Sequence, residues 1–404
     1  MILCAANIQH HRGDPTHVDK YSSVLEFFND LLVQHPADDA LLGWAPSGNM
    51  IFFGSNRAAA KDGWTLMVEE GKPVGEPVLV KRDIGGIAPM GFSQNGSFYY
   101  IVDTEIRDIY TVAIDSSGRV LSSPAKITQR FVGSSFCPAW SSDGKYLAYI
   151  SRRVPVQTGE ESRVLCILAV ETGIEREIQV HCEQPYITRW SPDGRSIFLM
   201  GIDRKVGIGL FQVDVQTGGL TPFLLGIEEG QAVFASNGSA LYLYRHVDPH
   251  KGIVKRDLNT GQETQVTSEM GENLLALSPD DNYLAYWVLG KSVNTIMAVP
   301  TSGGTPREIT RVNQLMVLNT TDGYPAWTRD GRFLLFTKQN KDVFELWRVS
   351  VDGKQSEFLG LTMKLLTQLN VRSDGKQLAF TGGEFKQEIW VMENFLAKEA
   401  GVKK

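Results

Sequence analysis

Eight times along this chain of 404 residues one short phrase returns: a bulky residue, a Ser or near equivalent, a turn ending in Gly, then an apolar strand. The clearest copies are Trp140-Ser-Ser-Asp-Gly-Lys-Tyr-Leu-Ala-Tyr149, Trp190-Ser-Pro-Asp-Gly-Arg-Ser-Ile-Phe198 and Trp327-Thr-Arg-Asp-Gly-Arg-Phe-Leu-Leu-Phe336. A supersecondary unit too thin to bury its own faces must stack against copies of itself, so a repeat of this kind constrains the architecture more than any other feature. The turn positions are Gly48, Gly96, Gly144, Gly194, Gly238, Asp281, Gly331 and Gly375, separated by 48, 48, 50, 44, 43, 50 and 44 residues. Roughly 40 to 50 residues is the length of one four-stranded propeller blade.

Within a copy, Asp143-Gly144 and Asp193-Gly194 are hairpin signals, because Gly supplies a positive φ and Asp bonds its own backbone. The strand that follows is apolar at successive positions, as in Tyr146–Ile150 and Phe333–Phe336, and so is covered on both faces. A third strand comes next (Asp108–Ile114, Val164–Leu168, Leu210–Asp214, Glu345–Val349), then a second Gly turn, and a short outer strand such as Glu175–Val180 or Arg307–Ile309. The last copy reads as two strands, Leu378–Phe380 and Glu388–Met392, without an outer one. An open edge is a hazard, and the apolar segment Met1–Ile8 could supply the missing strand and lock the ring; the alternatives are a frayed terminus or a segment cut from a longer parent. Tyr21, Val24, Leu25, Phe28, Leu31 and Leu32 fall at helical spacing before Pro36, which predicts an amphipathic helix over about residues 20 to 34. It serves either as a plug on the ring or as a docking helix. The expected fold is all-β: a single closed β-propeller of eight four-stranded blades, with six or seven as alternatives and a short N-terminal helix. Residues 1–41 form the lead-in, 42–395 the propeller and 396–404 a tail.

A formal net charge of −6 and a pI near 5.7 argue against a surface that tracks nucleic-acid phosphates. No run approaches the roughly 18 to 20 apolar residues that span a bilayer. Met1–Ile8 lacks a basic leader and so does not read as a signal peptide, and Leu3-Cys4 lacks the cationic stretch that precedes a lipid-modified cysteine. Cys4, Cys137, Cys166 and Cys182 are scattered without a CxxC pair, which points to packed thiols rather than a metal site or disulfide framework. A cytoplasmic location follows if Met1 is the native start, a periplasmic one if a leader has been removed.

The phrase Trp-Ser-Pro-Asp-Gly-Arg followed by an apolar strand resembles the TolB-like (WD-repeat-like) β-propeller family of bacteria, over residues 42–395. Trp140, Trp190 and Trp327 stand at the family's aromatic position, with Trp44 and Phe92 as variants and Phe234, Leu277 and Val371 in weaker copies. Asp281 stands where Gly is usual, and Ser47-Gly48 lacks the Asp. The carboxyl-terminal stretch Asp374–Gly383 with Glu388–Phe395 looks like the end of propellers often joined to a protein kinase or membrane anchor. The resemblance implies a ligand-sensing or protein-binding module, fused to other domains in some parents; its best-known members have six blades.

Chemistry-bearing motifs are sparse. There is no nucleophile elbow G-x-S-x-G, no phosphate-cradling G-x-x-x-x-G-K-[ST] loop and no dinucleotide fingerprint. His246-Val-Asp-Pro-His250 has a spacing that suits a metal but reads better as a loop, and His10, His11, His17 and Asp14 read as a terminal segment. The turn residues Asp143, Asp193, Asp330 and Asp374 could suggest calcium, yet their place before Gly fits local hydrogen bonding. Arg152 and Arg153, with Arg57 and Arg245 after equivalent strands, could set guanidinium groups on one rim to bind carboxylates, or could pair with Glu160 and Glu161. The expectation is a binding platform for a protein, peptide or small ligand at one rim or the channel mouth, with no catalytic residue, cofactor or metal and no nucleic-acid partner. Two alternatives remain: the sensory half of a larger receptor or kinase, and a metal-dependent hydrolase or lyase working in the channel.

Overall fold

The computed structural model describes residues 33, 35–37 and 39–396, with breaks at 59, 131–132, 154–161, 204, 227–231, 246–250, 269–274, 291 and 314–323. The expected strand Met1–Ile8, most of the helix expected over 20–34, and both histidine clusters lie outside the described residues. Among the described residues every regular element is a strand, and no helix is long and apolar enough to cross a membrane.

The strands follow the repeat. β1 (Asp39–Trp44), β2 (Met50–Ala58), β3 (Ala60–Glu69) and β4 (Lys72–Lys81) form the first sheet. β5 (Ile87–Phe92), β6 (Phe98–Ala113) and β7 (Ala125–Lys126) follow. Four-stranded antiparallel sheets then come in succession: β8 (Ser135–Trp140), β9 (Tyr146–Arg153), β10 (Ser162–Ala169) and β11 (Glu175–Gln179); β12 (Glu183–Trp190), β13 (Ser196–Asp203), β14 (Gly207–Asp214) and β15 (Leu220–Leu225). Next are β16 (Val233–Phe234), β17 (Ala240–Arg245), β18 (Gly252–Asp257) and β19 (Glu263–Thr267), then β20 (Ala276–Leu277), β21 (Tyr283–Val288), β22 (Val293–Pro300) and β23 (Arg307–Asn313). The series ends with β24 (Ala326–Trp327), β25 (Phe333–Asn340), β26 (Val343–Ser350) and β27 (Ser356–Met363), followed by β28 (Leu365–Val371) and β29 (Gln377–Met392).

The last copy departs from expectation. Leu378–Phe380 and Glu388–Met392 belong to one 16-residue strand, and Phe98–Ala113 is likewise one strand of 16. The Gly382-Gly383 pair makes no hairpin. Gly383 has φ +154°, and a Cβ there would lie 1.9 Å from the Ile106 carbonyl oxygen, so the glycine permits a close backbone approach rather than a turn. Hydrogen bonding joins β28, β29, β6 and β5 in that order, with β7 beside β6, so the copies at Gly96 and Gly375 share one five-stranded sheet. The neighbours of β29 are thus β28 and β6, and the described residues make seven sheets where the repeat predicts eight.

The chain divides into two compact units. One comprises Met1–Thr104, Val154–Glu160 and Phe385–Lys404; the other, Glu105–Arg153 and Glu161–Glu384. In the first, Phe52, Phe98 and Phe395 pack with centroids 4.9 and 5.0 Å from Phe52, and Val33 joins Ile51, Phe53 and Leu66 in a second cluster.

In the second unit, apolar clusters bind sheet to sheet. Ile150, Leu165 and Ile167 pack on Trp190, Ile197 and Leu199; Phe198 and Met200 on Leu241 and Leu243; Tyr242 and Tyr244 on Leu284 and Tyr286. Trp287 and Ile309 pack on Trp327 and Leu334, Leu335 and Leu346 on Leu378 and Phe380, and Ile109 and Ala379 on Trp140 and Tyr149. These contacts account for the unbroken apolar runs: the first six residues of β13 and first five of β17 are buried on both faces. Outer strands such as β11 face mostly water, with Ile178 its one buried residue.

Two signature tryptophans also lock neighbouring sheets by hydrogen bonds. Trp190 Nε1 donates to the Ala139 carbonyl at 2.9 Å, and Trp327 Nε1 to the Ala276 carbonyl at 3.0 Å. In each case the acceptor lies 51 residues upstream, in the preceding sheet.

Candidate functional site

The repeated aspartates spend their oxygens at home. Ser141 Oγ donates to Asp143 Oδ1 at 2.7 Å and the Lys145 amide to the same oxygen at 3.0 Å; Ser191 and Arg195 treat Asp193 alike, at 2.6 and 3.0 Å. The Ser141 and Ser191 hydroxyls and these amides hold both carboxyls below the usual carboxylate range. Gly144, at φ +69°, closes the turn by donating to the Ser141 carbonyl. In the variant turn, Asp281 takes the same left-handed conformation, φ +59°.

The arginines expected on one rim are mostly occupied within their own sheets. Arg57 Nη2 meets both oxygens of Asp39 at 3.1 Å and stacks over Phe53 and Trp64. Arg153 pairs with Glu177 at 3.1 Å, and Arg245 with Glu263, which Arg256 also meets at 3.0 Å. Glu160 and Glu161, the partners considered from sequence, lie outside the described residues.

One further cluster surrounds Cys166. Its Sγ, Glu175 and Glu177 offer ligand atoms within 4.8 Å of one another. Burial, then the Glu175 charge, pushes the thiol up to about 12. Arg153 Nη2 lies 3.8 Å from the sulfur while paired with Glu177, and the Tyr149 hydroxyl donates to Glu175. A guanidinium already balances these carboxylates, so a cation entering the cluster would have to displace Arg153.

A different set of side chains converges near the innermost strands of the second unit. Arg107 on β6 and Arg163 on β10 lie over the same Phe136 ring, 6.0 and 5.5 Å from its centroid. Arg189 on β12 lies over Tyr324, at 5.0 Å, and the Tyr324 hydroxyl is 4.0 Å from Cys137 Sγ. Both rings are buried and all three arginines are half-buried. Arg163 Nη1 also donates to the Pro185 carbonyl at 3.3 Å. Arginines held over buried aromatic rings fix positive charge in place, a chemistry suited to carboxylates.

Beneath this set lies a pair of bulges. Cys137 on β8 and Gln368 on β28 both have positive φ, +57° and +56°, and each sits where its strand slips register against its partner. Gln368 Oε1 accepts from the Cys137 amide at 2.7 Å and from Thr381 Oγ1 at 2.7 Å, while its Nε2 reaches Cys137 Sγ at 3.1 Å. Non-glycine residues in the left-handed region carry strain of about 1 kcal/mol or more, which the buried hydrogen bonds offset. The bulges re-aim two polar side chains into one buried spot.

Sequence reasoning missed these residues, although a signal existed. The position before the signature aromatic is Ala139, Ala276, Ala326 or Val233 in four copies, but Arg189 and Asn370 in two others. Arg189 lies over Tyr324, and Asn370 Oδ1 accepts the Trp140 amide at 3.0 Å. A large polar residue where the repeat wants a small apolar one marks a departure from blade packing.

The sheets and their order define an all-β propeller fold. More specifically the fold is that of the TolB-like β-propellers: a putative TolB from Agrobacterium tumefaciens aligns over 69% of this chain and 98% of its own, with 18% identity and a TM-score of 0.50. TolB from Acinetobacter baumannii aligns over 83% and 79%, with 15% identity and a TM-score of 0.49. An oligogalacturonate lyase from Vibrio parahaemolyticus aligns over 78% and 90%, with 13% identity and a TM-score of 0.43. No family model and no curated protein sequence matches the chain. At these identities the likeness concerns the fold.

Proposed function

We propose that the second unit is a closed ring of six four-stranded blades that binds an acidic peptide segment of a partner protein beside Arg107, Arg163 and Arg189. Six is among the counts left open by the repeat, in place of the expected eight. The reading is supported by the apolar clusters, each linking one sheet to the next, the last linking Ile109 and Ala379 to Trp140 and Tyr149. The sixth blade consists of β28, the part of β29 up to Glu384, the part of β6 from Glu105, and β7. A rigid ring loses little ordering entropy on binding, so a few side chains at its rim suffice for recognition.

The observation that carries the ligand class is the placing of two guanidinium groups over one buried ring, next to the residue whose sulfur meets the tyrosine under a third. In a chain of net charge −6 this is a local concentration of positive charge, fit for carboxylates. The reading contains no catalytic step. Fluorescence anisotropy with a labelled glutamate-rich peptide, and a lysine-rich control, tests it. The acidic peptide is expected to bind with an affinity that falls as salt rises, and Arg163→Ala and Arg189→Ala are each expected to weaken it about tenfold, about 1.4 kcal/mol. Equal binding of both peptides, or indifference to both substitutions, overturns it.

A further inference from the structure

Four turns of the repeat carry Asp before the Gly, at Asp143, Asp193, Asp330 and Asp374, but two carry Asn, in Asn95-Gly96-Ser97 and Asn237-Gly238-Ser239. The exchange matters chemically, because a carboxamide has ammonia to lose and a carboxylate has not. In the turn between β16 and β17, Asn237 Oδ1 accepts from the Ser239 amide at 2.9 Å and from the Ser239 hydroxyl at 2.8 Å. A side chain bonded to the amide two residues on is folded over the peptide link between them, here Asn237–Gly238. That fold holds Cγ beside the Gly238 nitrogen, whose own residue has no side chain to hinder an approach. Asn237 is exposed, and Gly238 and Ser239 are half-buried. The Gly238 amide donates to the Ala235 carbonyl at 2.9 Å, a single hydrogen bond at a surface turn of the kind that opens locally.

We propose that Asn237 is a site of self-modification, at which the turn converts its own carboxamide to a carboxylate. The Gly238 nitrogen bonds to Asn237 Cγ, the bond from Cγ to Nδ2 breaks, and Nδ2 leaves as ammonia with the proton given up by the Gly238 amide. Water then opens the cyclic imide. Cleavage at Cγ gives an aspartyl residue at position 237, and cleavage at the main-chain carbonyl gives the iso-aspartyl form, with one more methylene in the backbone. As the new bond forms, negative charge gathers on Oδ1, where both Ser239 donors already converge, as in an oxyanion hole. Asn95 is held differently: its Oδ1 takes the Ser93 hydroxyl and, at 3.4 Å, the amide of the buried Ser97. The conversion bears on the neighbouring sheet as well. Asp281 Oδ2 holds the Ser236 amide and hydroxyl at 2.9 and 2.6 Å, so a second carboxylate arises on the residue next to the one that Asp281 grips.

Peptide mapping by mass spectrometry of the folded full chain, held at neutral pH and sampled over weeks, is the test. The peptide that contains Asn237 is expected to gain the mass of an amide-to-acid exchange and to split into aspartyl and iso-aspartyl forms. Ser239→Ala removes one of the two donors and should slow the conversion about tenfold. Ser239→Thr keeps the hydroxyl and should keep the parent's rate, while the Asn95 peptide in the same samples should convert alike in all three chains. An Asn237 that remains an amide in the folded chain overturns the proposal, whatever the chain unfolded in urea does. Equal rates in the parent and Ser239→Ala overturn it too, since the hydroxyl would then play no part.

Discussion

Among the seams that join the sheets of the second unit, two are held by one chemistry and a third by another. At the seams between β8–β11 and β12–β15, and between β20–β23 and β24–β27, a signature tryptophan donates to a carbonyl 51 residues back. At the seam between β28 and β8, residues about 230 positions apart meet, and the equivalent Trp140 indole N–H is buried with no acceptor among the described residues. Side-chain amides replace it: Gln368 takes the Cys137 amide, Asn370 the Trp140 amide, and Arg372 lies 5.5 Å from the Trp140 ring centroid. A repeat can lock neighbours with one recurrent residue because their spacing recurs. Where residues about 230 positions apart meet, the contact has no periodic counterpart and is made by residues specific to that place.

The largest effect expected from this contrast is at Gln368. Replacing it with Ala leaves the buried Cys137 amide and Thr381 hydroxyl without that acceptor, at a cost of about 3 kcal/mol in a denaturant titration. Next comes Arg348, a buried residue of β26 that donates to Ser117 O and Oγ at 2.7 and 2.8 Å, pairs with Glu357 and stacks on Phe333. Arg348→Met retains much of the stem packing but removes the charge that ties the Asp115–Gly118 turn to β26, and is expected to cost about 2 kcal/mol. The seams themselves are compared by Trp190→Phe and Trp140→Phe. Both lose indole packing, but only the first loses a made hydrogen bond, so Trp190→Phe should cost about 1 kcal/mol more. Equal costs would erase the distinction.

The recurrent part of this architecture was legible in the sequence, and the singular part was not. Period, turn chemistry and buried second strands all followed from Asp143-Gly144 and its equivalents, because local hydrogen bonds and apolar runs are short-range facts. The joining of residues 98–113 into one strand was not legible, since the phrase at Gly96 looks like any other copy until its strand runs on past the expected hairpin. Arg153 and Arg245 stand out in the sequence, yet partners such as Glu177 and Glu263 arrive from other strands of the same sheet and occupy them. Arg107, Arg163 and Phe136 come together from separate strands, a convergence that no spacing rule encodes. What could be read at that level was only the exception, Arg189 and Asn370 in a column of small apolar residues.

The smallest effect separates the seam from the turns by pH. The contacts at Cys137, Gln368 and Asn370 are between neutral groups, whereas the turns depend on ionised Asp143 and Asp193, whose carboxyls the neighbouring hydroxyls and amides hold below their ordinary value of 3.8. A carboxyl with its folded-state pKa lowered binds its proton more readily in the unfolded chain. Its contribution is therefore present above pH 3.8 and is lost as pH falls through the lower, folded value. Both carboxyls are exposed at the surface, so each contribution is small and screened. Denaturation midpoints measured from pH 6 down to pH 3 should fall for the parent and, in parallel, for Gln368→Ala, while Asp193→Asn should begin lower and decline less. A Gln368→Ala profile that diverged from the parent in the acid range would mean that an ionised group supports the β28–β8 seam, and the division between recurrent charged turns and a neutral junction would fail.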